Sequence, residues 1–131
     1  MDYNFLWTTP SAGAPIVSIA TYGISFNSIV VDLLNRPPKV LLGFDEKNMV
    51  IGVKPVIGEV EEPRAYRFAE PGRQGVIRIG NKDFLKYVSN KSGIDFRKIK
   101  KYLASWDEDS KTLIIDLRNA SLESLAWGEE E

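Results

Sequence analysis

The segment Lys39-Val-Leu-Leu-Gly-Phe-Asp-Glu46 returns sixty-two residues later as Lys101-Tyr-Leu-Ala-Ser-Trp-Asp-Glu108. Each copy runs through a polar turn into an apolar stretch, 49–53 in the first and 113–117 in the second. Alternation in Met49, Ile51 and Val53, and in Leu113, Ile115 and Leu117, marks each stretch as a strand with one inward face. Phe44 and Trp106 are its expected large anchors. Aligning residues 48–54 with 112–118 makes the second turn two residues longer. A duplicated hairpin leaves few folds open to a chain of 131 residues.

The rest of the chain fits the same duplication. Residues 16–20 form a short β-run, Thr21-Tyr22-Gly23 a tight reversal, and 24–26 a second strand. Gly23 is expected there for its access to positive φ. Asn27 or Ser28 caps a helix whose apolar face is Val30, Leu33 and Leu34. Pro37-Pro38 ends that helix by forcing Arg36 out of the α region. In the second copy 65–69 and 76–79 are the strands, joined by the longer reversal 70–75. Asn81 caps a helix with Phe84, Tyr87 and Val88 on one face, and Gly93 follows its end. The order is ββαββ twice: repeat 1 over 16–54, repeat 2 over 65–118.

A lone unit of about 45 residues buries too little apolar area to fold well. Two units that interleave their hairpins hide each other's strand edges. The expected fold is therefore mainly β with two short helices, the tandem repeats interleaved into one closed barrel with pseudo-two-fold symmetry. Residues 1–15 are an N-terminal arm and 119–131 an acidic C-terminal tail. In the tail, Ser121 caps a short helix presenting Leu122, Leu125 and Ala126, with Trp127 at its end.

Composition narrows the chemistry. The chain has no Cys and no His, which removes disulfides, thiolate catalysis and the commonest general base and metal ligand. A reducing, cytoplasmic home fits. No apolar run reaches the roughly 20 residues a membrane helix needs, so no membrane partner is expected. Asp45-Glu46 and Asp107-Glu108 fall in the hairpin turns, where carboxylates serve as turn formers. No catalytic residue, metal site or cofactor is assigned, and the chain reads as a non-enzyme. Charge is uneven: residues 73–101 hold nine Lys/Arg against Asp83 and Asp95. Such a band is either a solvated face or a surface for nucleic acid.

Gly23-Ile-Ser-Phe-Asn-Ser28 leading into a helix, followed by a hairpin turning on acidic residues, resembles the AbrB/SpoVT-type swapped-hairpin domain. Asn27 and Asn81 stand where that family has a proline at the helix start. The resemblance implies a DNA-binding, transcription-regulating or antitoxin-like role. It places contacts at Arg67 on the first strand of repeat 2, Arg73 in the turn, Arg78 on the second strand, and Lys82 and Lys86 on the helix. Ser18, Tyr22 and Ser25 hold the matching positions of repeat 1, so binding would be one-sided.

Arg97-Lys98 and Lys100-Lys101, close in sequence to Tyr102, extend the same basic band. Lys101, matching Lys39, has a second reading as a charge guarding a strand edge. The other function class is a protein-interaction or scaffold module. It would work through Tyr3, Phe5 and Trp7 of the arm and Trp127 of the tail, with a second copy of the chain or another protein as partner.

Overall fold

The computed structural model describes residues 14–58, 61–70 and 75–118. The elements run β1 (Ile16–Ala20), β2 (Gly23–Phe26), α1 (Ser28–Leu33), β3 (Lys39–Asp45) and β4 (Val50–Pro55). They continue with β5 (Tyr66–Arg67), β6 (Ile77–Gly80), α2 (Lys82–Ser92), β7 (Lys100–Asp107) and β8 (Thr112–Asp116). All eight strands join one antiparallel sheet in the order β5-β3-β4-β8-β7-β1-β2-β6. The sheet curls nearly into a closed barrel, with β5 and β6 at its two ends.

The ladders follow a simple rule. Replacing β1–β4 by β5–β8, and the reverse, carries β1·β7 onto β5·β3 and β3·β4 onto β7·β8, and returns β2·β6 and β4·β8 to themselves. The rule reaches single rungs. Ser18 faces Lys101 as Arg67 faces Lys39, and Val17 faces Tyr102 as Tyr66 faces Val40. Only β1·β2 lacks a counterpart among the described residues. Between β5 and β6, the matching pair, side chains take over: Asn81 Nδ2 donates to the Tyr66 hydroxyl, and Phe68 meets Phe26 edge-on at 5.2 Å.

Alternation fills the interior. Val17, Ile19, Ile24, Phe26, Val40, Ile51, Val53, Tyr102, Leu113 and Ile115 are all fully buried or nearly so. No polar or charged residue is buried among the described residues. The largest buried side chains are Tyr102, Phe26 and Phe96, whereas Phe44 and Trp106 are only half-buried against the core's rim. Each hairpin embraces the opposite half. The Phe44 ring lies edge-on to Tyr87 of α2 at 5.9 Å, and Glu46 pairs with Lys91 at 4.0 Å.

Several expectations change in detail. The two hairpin turns have equal length: Asp45 pairs with Val50 and Asp107 with Thr112, and left-handed residues stand at Met49 and Lys111. In each turn the Asp carboxylate accepts the amide three residues on, from Asn48 and from Ser110. The structural match is thus Ile51 with Leu113, and Met49 belongs to the turn rather than to the inward face. A slip of two residues keeps every side chain on its face, so alternation could not reveal it.

The helix faces rotate as well. α1 buries Val30 and Val31, with Leu34 buried at its C-cap and Leu33 41% exposed; α2 buries Leu85 and Val88, with Tyr87 46% exposed. Gly23 is not at positive φ. It is needed because a Cβ there would lie 2.7 Å from the Ile79 carbonyl oxygen of β6. Finally, β3 and β7 are each paired on both sides, so Lys39 and Lys101 guard no edge.

Candidate functional site

α2 starts cleanly because Asn81 Oδ1 accepts from Phe84 N at 3.0 Å, capping the helix. It stops at Gly93, whose left-handed φ of 79° lets its amide donate to the Ser89 carbonyl at 2.8 Å. Ser89 Oγ then donates to the Ile94 carbonyl at 2.6 Å, folding residues 93–97 back along the helix. Between this return and α2 lies a cleft of about 820 Å³. Its lining includes the charged side chains Lys82, Lys86, Asp95 and Arg97, with Thr21, Ile94 and the edges of the buried Leu85 and Phe96.

The three rim cations are not equivalent. Arg97 grips Asp95 through Nε on Oδ1 at 3.0 Å and Nη2 on Oδ2 at 2.8 Å, and its backbone amide also donates to Oδ1 at 2.9 Å. The Arg97 side-chain hydrogen bonds, then that amide, hold the Asp95 carboxyl down at about 2. Much of the Arg97 charge is answered locally. Lys82 and Lys86 are exposed and form no ion pair with another described residue. They sit one turn apart on one helical face.

A second set of cations lies on the outer sheet surface. Rungs of β7, β1, β2 and β6 line up Lys101, Ser18, Ser25 and Arg78 in one row. Arg78 Nε donates to Ser25 Oγ at 3.3 Å. Beyond the β5–β6 seam, Arg67 stands directly opposite Lys39. Like charges facing each other across a ladder destabilise it, and neither has an acidic partner among the described residues. The duplication offered a signal for these positions, since Lys39 and Lys101 match each other in sequence.

The expected site residues therefore separate. Lys82, Lys86 and Arg97 come together around the cleft, with Lys98 exposed next to it. Arg67 and Arg78 lie on the strands, paired with Lys39 and Ser25. Arg73 lies outside the described residues, as do Tyr3, Phe5, Trp7 and Trp127. The turn carboxylates serve their turns: hydrogen bonds from the Asn48 side chain and amide hold Asp45 below its ordinary range, and Lys111 followed by Trp106 does the same for Glu108. Among the described residues no cluster of three acidic side chains is placed to hold a metal ion, and no helix is long and apolar enough to cross a membrane.

On the other half a smaller groove of about 460 Å³ lies between the end of α1 and the second hairpin, lined by Leu33, Pro38, Ile57 and Trp106. Ile57 there is 77% exposed. No family model matches this chain, and no curated protein or solved structure does either.

Proposed function

We propose that this chain is a non-enzymatic, cytoplasmic DNA-binding protein of regulatory or antitoxin-like role, as its resemblance to the AbrB/SpoVT-type domain implies. Binding uses the second half alone, through Arg67, Arg78, Lys82 and Lys86, with Lys98 alongside and Arg73 expected with them. The observation that carries the reading is the state of Arg67, Lys82 and Lys86. All three are exposed and meet no acidic side chain among the described residues, and Arg67 faces a second cation. A polyanion relieves that repulsion and gains counterion release on binding. Arg97, already held by Asp95, contributes less.

Fluorescence anisotropy with a mixed-sequence duplex tests this. Neutralising about four phosphates gives a log–log salt slope of about −3.5. Changing Lys82→Ala together with Lys86→Ala should lower the slope by about 2 and weaken binding to every sequence alike. An affinity that ignores salt, or is unmoved by the double change, removes the proposal. The apolar groove beside Trp106 supports the second reading, an interaction module. Its mark would be a protein complex that persists at high salt and is lost on Trp106→Ala.

A further inference from the structure

The duplication leaves one contact of the second half without its counterpart in the first. Phe44 of the first hairpin meets Tyr87 of α2 edge-on at 5.9 Å. Counting from the capping residues Asn81 and Asn27, the position of Tyr87 falls on Leu33 of α1, and Phe44 matches Trp106 in the repeated hairpin. Leu33 and Trp106 line one groove of about 460 Å³, so the first half has open space where the second has a packed ring. Apolar surface is accessible there: Leu33 is 41% exposed and Ile57 77%, Pro38 is exposed and Trp106 half-buried. The charges around it are answered nearby, Arg36 by Asp32 and Lys111 by Glu108. The groove therefore suits a large aromatic side chain without charge.

The first described residues lie beside it. The Ala14 carbonyl accepts from Asn27 Nδ2, at the start of α1, at 2.8 Å, and the Pro15 carbonyl accepts from the Ala104 amide of β7 at 2.9 Å. The chain thus runs in between α1 and β7, the two elements that carry Leu33 and Trp106. Ile16 pairs with Leu103, and the same register carried back three residues brings position 13 opposite Trp106. At Trp106 the β1 side of β7 has no strand partner among the described residues. Residues 1–13 hold Tyr3, Phe5, Leu6 and Trp7, and Asp2 is their one charged side chain. From position 13 back to 7 the chain reaches up to roughly 20 Å when extended, more than the roughly 9 Å that α1 spans from its cap to Leu33.

We propose that residues 1–13 fold back on their own chain and close this groove. The Trp7 ring sits between Leu33 and Trp106, in the place that Tyr87 holds against Phe44, and Phe5 follows on Ile57. Pro10 cannot donate to a ladder, so the arm leaves the β7 edge there and turns toward the groove. The docking rests on neither functional reading. A protein that takes the groove under the interaction reading would first displace the arm, whereas DNA on the second half would leave it in place.

The absence of Cys makes the test clean. Asn4→Cys in the full chain takes a single nitroxide label and keeps Tyr3, Phe5 and Trp7. Amide relaxation is then measured with neither DNA nor a partner protein present. The expected result is strong enhancement at Leu33, Asn35, Ile57 and Lys111, with little at Leu85 or Asn90. Because the contact is apolar, it should persist at about 1 M salt, where charges are screened beyond about 3 Å. Trp7→Ser should lower it several-fold, and so should Ile57→Asp, a change at an exposed position outside the core. Enhancement that is absent, spread evenly, lost at high salt, or unmoved by either change overturns the proposal. So does enhancement carried from labelled chains onto unlabelled ones in a mixture, which would make the occupant a second copy. Failure to find a protein complex with this pattern intact would overturn only the interaction reading.

Discussion

Residues 16–54 and 65–118 build the same ladders yet differ in two places. In the first half, β1 turns into β2 through Thr21 and Tyr22, and four rungs seal the seam. In the second, residues 68–76 separate β5 from β6, and no ladder joins those strands among the described residues. The helices diverge alongside: α1 has six residues and none is basic, while α2 has eleven and carries Lys82, Lys86 and Lys91. Ser18 and Ser25 of the first half become Arg67 and Arg78. The barrel thus needs backbone closure at only one seam. The other is held by Tyr66–Asn81 and Phe26–Phe68, which frees it for a longer reversal, a longer helix and unbalanced charge.

The largest effects should come from matched core positions, where the halves differ only in size. Tyr102 and Val40 occupy the same inward place and are both fully buried. Tyr102→Ala is expected to cost about 3–5 kcal/mol and Val40→Ala about 1–3 kcal/mol in denaturant unfolding. A loss below about 1 kcal/mol at Tyr102 would mean the interior is not packed as one core.

Next come the two glycines that face each other where β2 meets β6. A Cβ on Gly23 meets backbone oxygen at 2.7 Å, whereas one on Gly80 stays 3.6 Å from the Tyr22 carbonyl. Gly23→Ala should destabilise by about 1–3 kcal/mol, and Gly80→Ala by less than about 1 kcal/mol. Equal penalties would show that the sheet gives way at this junction instead of resisting.

Most of this frame could be seen in the residues, because it depends on local chemistry. Asn27 and Asn81 each cap as expected, Gly93 closes α2 in the left-handed region, and Pro37-Pro38 follows the end of α1. What stayed hidden depended on partners distant in sequence. The i, i+3, i+4 pattern of α2 fits Phe84/Tyr87/Val88 as well as Leu85/Val88, and the packing against Phe44 decides that Tyr87 lies outward. The role of Gly23 needed β6, fifty-odd residues away, to be in place. Within the candidate site, Lys82 and Lys86 were visible as helix cations. The cleft beneath them was not, since it exists only once Ser89 Oγ turns Ile94 back on the helix.

A smaller effect separates the two caps. Asn27→Ala removes the cap and a 2.8 Å bond from Nδ2 to the Ala14 carbonyl, at about 1 kcal/mol. Asn81→Ala removes a cap and also the tie to Tyr66 across the seam without a ladder. A double-mutant cycle with Tyr66→Phe should return a coupling of about 0.5–1.5 kcal/mol. Additive single changes would show that the seam is held by packing alone.

The smallest effect concerns the one rim cation already engaged. Asp95 has an ordinary carboxylate value near about 3.9 when unfolded and is held at about 2 by Arg97 in the fold. A carboxyl lowered by folding adds stability that is complete above its unfolded value. That stability is lost as pH falls through the folded one, here from about 4 down to about 2. The pair is exposed, so the loss is slight and salt shrinks it further. Chemical-shift titration should find Asp95 near about 2, and Arg97→Ala should return it toward about 3.9. The unfolding midpoint of that variant should also vary less between pH 4 and pH 2. If Asp95 does not move, Arg97 is not engaged by it. The cleft would then present three cations without an acidic partner among the described residues, where α1 carries no basic residue, and the charge contrast between the two helices would be sharper than the Arg97–Asp95 pair now makes it.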